Sequence, residues 1–180
     1  MSDAEPSLRL GKKYAPRSAP EVDVPGLYAE QSVTRAVGGG LLASLILIIV
    51  WTYAGLLWDR FFPWYSVLQG IFIGLAVRRF GRGIDWRFPV IAAAIAIVAA
   101  FAGSFVSALF LTGREFDTSV WSLIGEISGY TISRFATGQF GAVGTIYAGM
   151  AAAVAAFFAG RRLTRHEAIA LRKHRQAVKA

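Results

Sequence analysis

The chain has 180 residues, of which 55% are hydrophobic and only 17% charged, and its 19 Lys and Arg against 11 Asp and Glu give a net charge of +8. A water-soluble domain of this length needs a charged exterior, whereas here the charge is confined to a few stretches between long uncharged runs, which points to a membrane-embedded chain. The absence of cysteine removes disulfides, thiolate nucleophiles and Cys-ligated metals.

In chain order, residues 1–35 hold five basic and five acidic side chains and prolines at positions 6, 16, 20 and 25, which break up any long helix. An extended arm that orders against a partner is expected there. No apolar h-region follows Met1, so the first apolar run should serve as its own uncleaved insertion signal. Four runs lack Asp, Glu, Lys and Arg altogether: residues 36–58, 61–77, 88–113 and 135–160. Crossing a hydrocarbon core takes roughly 20 apolar residues of helix, and the second run meets that only at its short limit. The predicted spans are about 36–58, 61–77, 88–111 and 139–160. The first opens on Gly38-Gly39-Gly40, read as a flexible start.

Charge then orients these spans. With four crossings, the arm, the 78–87 loop and the tail 161–180 share one side and hold sixteen Lys and Arg, against Arg60, Arg114 and Arg134 on the other. Cationic loops stay cytoplasmic, so both termini are expected inside, and three crossings would strand the basic tail outside. Trp58, Phe61, Phe62, Trp64 and Tyr65 make an outer interfacial belt, with Trp86 and Phe88 as the inner counterpart. Between the third and fourth spans, Val120, Leu123, Ile124, Ile127 and Thr131 fall on one helical stripe flanked by Trp121 and Phe135. That pattern predicts an amphipathic extracytoplasmic helix, weakened at Gly125 and Gly129. The predicted fold is all-α and polytopic: a four-helix transmembrane domain over residues 36–160, an arm over 1–35 and a basic tail over 161–180.

Chemistry-bearing residues are scarce. All 19 Lys and Arg and all 11 Asp and Glu lie outside the four spans, which disfavours a proton relay or ion path within one chain. His166 and His174, the only histidines, sit in the tail, and no G-x-S-x-G elbow is present. No catalytic residue, metal site or cofactor is expected. Small residues are abundant instead: Gly70-x-x-x-Gly74 in the second span, Ala99, Gly103 and Ser107 in the third, and Gly144, Ala148, Ala152 and Ala156 in the fourth, beside Gly149 and Ala153. In lipid such stripes let backbones approach and pack by dispersion, either within the bundle or against another protein, with the fourth span favoured for partner contact.

Residues 70–85, GIFIGLAVRRFGRGID, contain neither a P-loop nor a Rossmann fingerprint. They read as a helix exit. Gly70 and Gly74 pack, Arg78 and Arg79 stop translocation and snorkel, Gly81 and Gly83 turn the chain, and Asp85 caps the next helix or pairs with a loop arginine. Arg78, Arg79 and Arg82 are the expected anionic-lipid contacts. The stretch resembles small bacterial inner-membrane proteins of unassigned function in which a glycine-rich span ends in V-R-x-x-G-x-G-(I/V)-D; Val77, Arg78, Gly81, Gly83, Ile84 and Asp85 match over a resemblance spanning about residues 64–105. It implies a polytopic membrane fold and no activity.

The expectation is therefore a non-catalytic accessory subunit of a bacterial inner-membrane complex. Its partners would be other integral membrane subunits and anionic phospholipid, with no nucleic acid. The alternative is a homo-oligomeric transporter or channel lined by Ser104, Ser107, Thr145 and Tyr147.

Overall fold

A computed structural model of the chain describes residues 22–60, 62–138 and 141–179, and every regular element among them is an α-helix. The described helices are α1 Val24–Ala29, α2 Val33–Trp58, α3 Tyr65–Gly81, α4 Arg87–Glu115, α5 Val120–Gly125, α6 Gly129–Gly138, α7 Gly141–Ala159 and α8 Arg165–Lys179. The described residues divide into two compact units, Gly26–Arg162 and a smaller one made of residues 22–25 with 163–179. Residues 1–21, most of the expected arm, lie outside the described residues.

In the larger unit α2, α3, α4 and α7 form a bundle. α3 and α4 touch one another, and each also packs on both α2 and α7. Successive helices run in opposite directions. At one end the Ser32 N–H donates to the Gly81 carbonyl at 3.0 Å and the Arg161 N–H to the Gly83 carbonyl at 3.3 Å. At the other, the Arg114 guanidinium donates to the Leu56 carbonyl at 2.5 Å.

Three of these helices, α2, α4 and α7, are long and apolar enough to cross a membrane. The second expected span is also a helix, but it is displaced toward the C-terminus: it begins at Tyr65 rather than at 61 and carries Arg78 and Arg79 in its last turn. Its 17 residues rise about 26 Å. Ser66, Gln69, Gly70, Ile73, Gly74, Val77 and Gly81 form one continuous buried stripe along it, the three- and four-residue spacing of a helix face.

The core consists largely of alanine: Ala36, Ala92, Ala96, Ala99, Ala155 and Ala159 surround Ile73, Val77 and Phe88. Helices with so little side chain between them come close together, and their dispersion contacts are made largely by backbone. Gly38-Gly39-Gly40, expected to be a flexible start, lies inside α2. A Cβ on Gly39 would strike the Phe80 ring, and one on Gly40 would come within 2.8 Å of Ile95 and 3.0 Å of Val77. Two of the three glycines therefore serve as seats for side chains of α3 and α4.

The expected amphipathic helix after α4 is two helices. α5 stops at Gly125, and α6 starts at Gly129. The Ser128 hydroxyl accepts the Thr131 N–H at 3.2 Å and lies 3.0 Å from the Thr131 hydroxyl, capping the new start. Two poor helix formers four residues apart and a capping serine between them account for the break. Leu123 of α5, Ile127 in the break and Thr131 of α6 nonetheless line one cavity of about 300 Å³ with Phe105, Leu109 and Thr112 of α4.

In the smaller unit α8 opens with a capping box. The Thr164 N–H donates to Glu167 Oε2 at 2.7 Å, and the Glu167 N–H donates back to Thr164 Oγ1 at 3.4 Å. His166 and His174 are both exposed on this helix.

Candidate functional site

Three features of the bundle have the geometry to engage another molecule: the small-residue seams, the basic end and an aromatic cavity at the opposite end.

Gly70 and Gly74 meet α7. A Cβ on Gly70 would collide with the Ala151 carbonyl oxygen, and one on Gly74 would lie 2.5 Å from the Ala155 carbonyl oxygen and 2.9 Å from Phe158 Cβ. The obstacle in both cases is backbone, which cannot swing aside. Gly103 and Ser107 belong to a different seam, between α2 and α4. The Trp51 ring covers Gly103, leaving a Cβ there only 2.8 Å of clearance, and the Ser107 hydroxyl lies 3.4 Å from that of Thr52.

On α7 the buried stripe is Ala148, Ala151, Ala155 and Ala159, with Gly144 and Ala152 half-buried at its edge. The predicted stripe at 144, 148, 152 and 156 rotates away from the contact because four-residue steps overshoot a 3.6-residue turn by about 40° each. The three-residue step from Ala148 to Ala151 brings the line back. Gly149 and Ala153 are exposed, and a Cβ on Gly149 meets nothing within 4 Å.

Of the four polar groups expected to line a path, Ser104 and Ser107 are buried in the bundle. Thr145 is exposed on α7 and donates to the Gly141 carbonyl at 2.7 Å, while Tyr147 is half-buried on the same helix. Gln69 is also buried, 1% exposed, and among the described residues neither its amide oxygen nor its nitrogen has a hydrogen-bond partner.

The basic end is organised by Glu30, which the sequence did not single out. Its carboxylate accepts from Arg161 at 2.9 Å and pairs with Arg82 at 3.8 Å. The neighbouring Gln31 side chain accepts the Ile84 N–H at 3.3 Å. Residues 30–32 and 161 thus satisfy the backbone of the α3–α4 connection and clasp it. Arg82, expected among the lipid contacts, is the residue that turns the chain: its φ is 49° and its N–H donates to the Arg78 carbonyl. Gly81 and Gly83, expected to make that turn, instead leave room for the Phe88 ring, which a Cβ on either would meet. Arg78 is half-buried and Arg79 exposed. The helix-capping position before α4 falls on Trp86 rather than Asp85.

At the far end, where α2 turns into α3, a cavity of about 580 Å³ is lined by Ala54, Trp58, Arg60, Phe62, Trp64, Tyr65 and Leu68. Phe62 meets Trp58 and Trp64 edge-on, each with ring centroids 6.1 Å apart, and Tyr65 lies against Trp51 at 5.3 Å. Asp59, at φ 48°, ends α2 and starts this turn. The aromatic cluster was legible in the sequence, where the expectation was an interfacial belt. The hollow it encloses was not, because it depends on how the turn folds back over α3.

Comparison of the chain with protein-family models, with curated proteins and with solved structures gave no match in any of the three.

Proposed function

We propose that the chain is a four-span protein of a bacterial inner membrane, with both termini cytoplasmic, acting as a non-catalytic accessory subunit that packs against other membrane proteins. α3 counts as the fourth span in this reading. Its buried stripe runs its whole length between α2, α4 and α7, and its short rise is compensated by the snorkelling reach of Arg78 and Arg79. The charge asymmetry supports the orientation.

The observation that carries the accessory role is the outer face of α7. Gly70 and Gly74 occupy the alanine stripe on its inner side, which leaves Gly149 and Ala153 exposed among Val143, Ile146, Met150 and Phe157. A small-x-x-x-small pair amid large apolar residues is the surface on which another transmembrane helix approaches closely. The buried polar side chains among the described residues, Ser44, Thr52, Ser66, Gln69, Ser104 and Ser107, are all uncharged, which favours a packing role over ion conduction. Arg78 and Arg79 add affinity for anionic phospholipid at the basic end.

Affinity purification in mild detergent tests the reading. A co-purifying membrane protein that is lost on Gly149→Leu, with thermal stability unchanged, is the expected result. A monodisperse protein with no partner before or after the substitution would sink it.

A further inference from the structure

We propose that the cavity at the α2–α3 turn binds an anionic phospholipid, with the phosphate on Arg60 and the upper acyl segment along Trp58 and Leu68. The proposal rests on the reading of α2 and α3 as membrane spans, and it concerns the end of the bundle opposite Arg78, Arg79 and Arg82.

Three observations select this occupant. The site has room: about 580 Å³ accommodates a headgroup with the first part of a chain. Its lining is accessible from outside the bundle: Trp58 is 65% exposed, Trp64 50% and Leu68 37%. Its one charge is the exposed Arg60 guanidinium, and among the described residues no carboxylate lies within ion-pairing distance of it. Guanidinium is planar, weakly hydrated and matched to two phosphate oxygens at once.

The chemistry of the walls narrows the choice further. A quaternary ammonium would favour the rings but be repelled by Arg60. A small hydrophilic anion would gain nothing from four aromatic walls. A molecule with a phosphate and an apolar chain uses both, and it resides at the depth where Trp and Tyr concentrate, the headgroup level of the bilayer. Ala54 and Leu68 add apolar lining, one helical turn from Trp58 and Tyr65 respectively, against which such a chain can lie.

Tryptophan quenching in liposomes tests this. In a protein with Trp86→Phe and Trp121→Phe, Trp58 and Trp64 report from the cavity, while Trp51, 1% exposed, is shielded. A small fraction of phosphatidylglycerol with brominated acyl chains in phosphatidylcholine should quench as though enriched about fivefold over the same fraction of brominated phosphatidylcholine. Arg60→Gln should abolish the preference, as should Ala54→Phe, which fills the cavity. Arg78→Gln with Arg79→Gln should leave it intact. Equal quenching by the two lipids, or a preference that survives Arg60→Gln, overturns the proposal. Absence of quenching by either lipid refutes it through the membrane reading itself.

Discussion

Gly74 shows how much a single hydrogen in place of a methyl group decides in this bundle. Its neighbour is the Ala155 backbone, so any side chain forces α3 and α7 apart along their whole contact. Gly74→Leu should lower stability by about 1–3 kcal/mol, the usual range for overpacking a close contact, and more if the helices separate. The expected readout is a lower melting temperature in detergent. Gly149→Leu should leave that temperature unchanged, because a Cβ there meets no atom within 4 Å. Both positions read alike in the sequence, each a glycine within an apolar run. What separates them is the face each occupies, and a sequence with small residues on several faces of a helix does not say which face is covered.

Among the elements, the α3–α4 connection is held by residues distant in the chain. Glu30 and Arg161 are 131 positions apart, and their ion pair is part of a clasp that also includes Arg82 and Gln31. Both Glu30 and Arg82 are substantially exposed, so solvent screening limits the pair's contribution. Glu30→Ala should cost less than about 1 kcal/mol, and the loss should shrink further as salt rises from 0.1 M to 1 M. A large, salt-independent loss in a thermal melt would show that the clasp acts by packing instead. The helices themselves were readable as uncharged runs, and the end of α3 was foreshadowed by Arg78 and Arg79. The break between α5 and α6 was foreshadowed only as a weakness at Gly125 and Gly129. It became a break because Ser128 supplies a cap.

For the whole molecule the decisive question is sidedness, and a chain without cysteine is well suited to it. Single cysteines at Asp59 and Ser119 should react with an impermeant thiol reagent from outside intact cells. Cysteines at Arg87 and Ala177 should react only after the inner face is opened. If Asp59 and Arg87 label from the same side, α3 does not cross, and the four-span arrangement fails along with the placement of the aromatic cavity at the outer leaflet.

The sequence by itself determined a chain of long uncharged apolar runs that fold as helices, three of them long and apolar enough to cross a membrane, with its cations gathered in particular segments. In hydrocarbon every backbone polar group must be satisfied within its own segment, so the requirement is local and shows in one dimension as long uncharged runs. Only the tertiary structure decided that Gly70 and Gly74 close on Ala151 and Ala155, that Gly39 and Gly40 seat Phe80, Val77 and Ile95, and that four aromatic residues and Arg60 enclose a cavity. Those outcomes depend on the rotation and crossing of each helix against its neighbours. Register between helices is set by the summed fit of many small contacts, and no single stretch of the chain carries it.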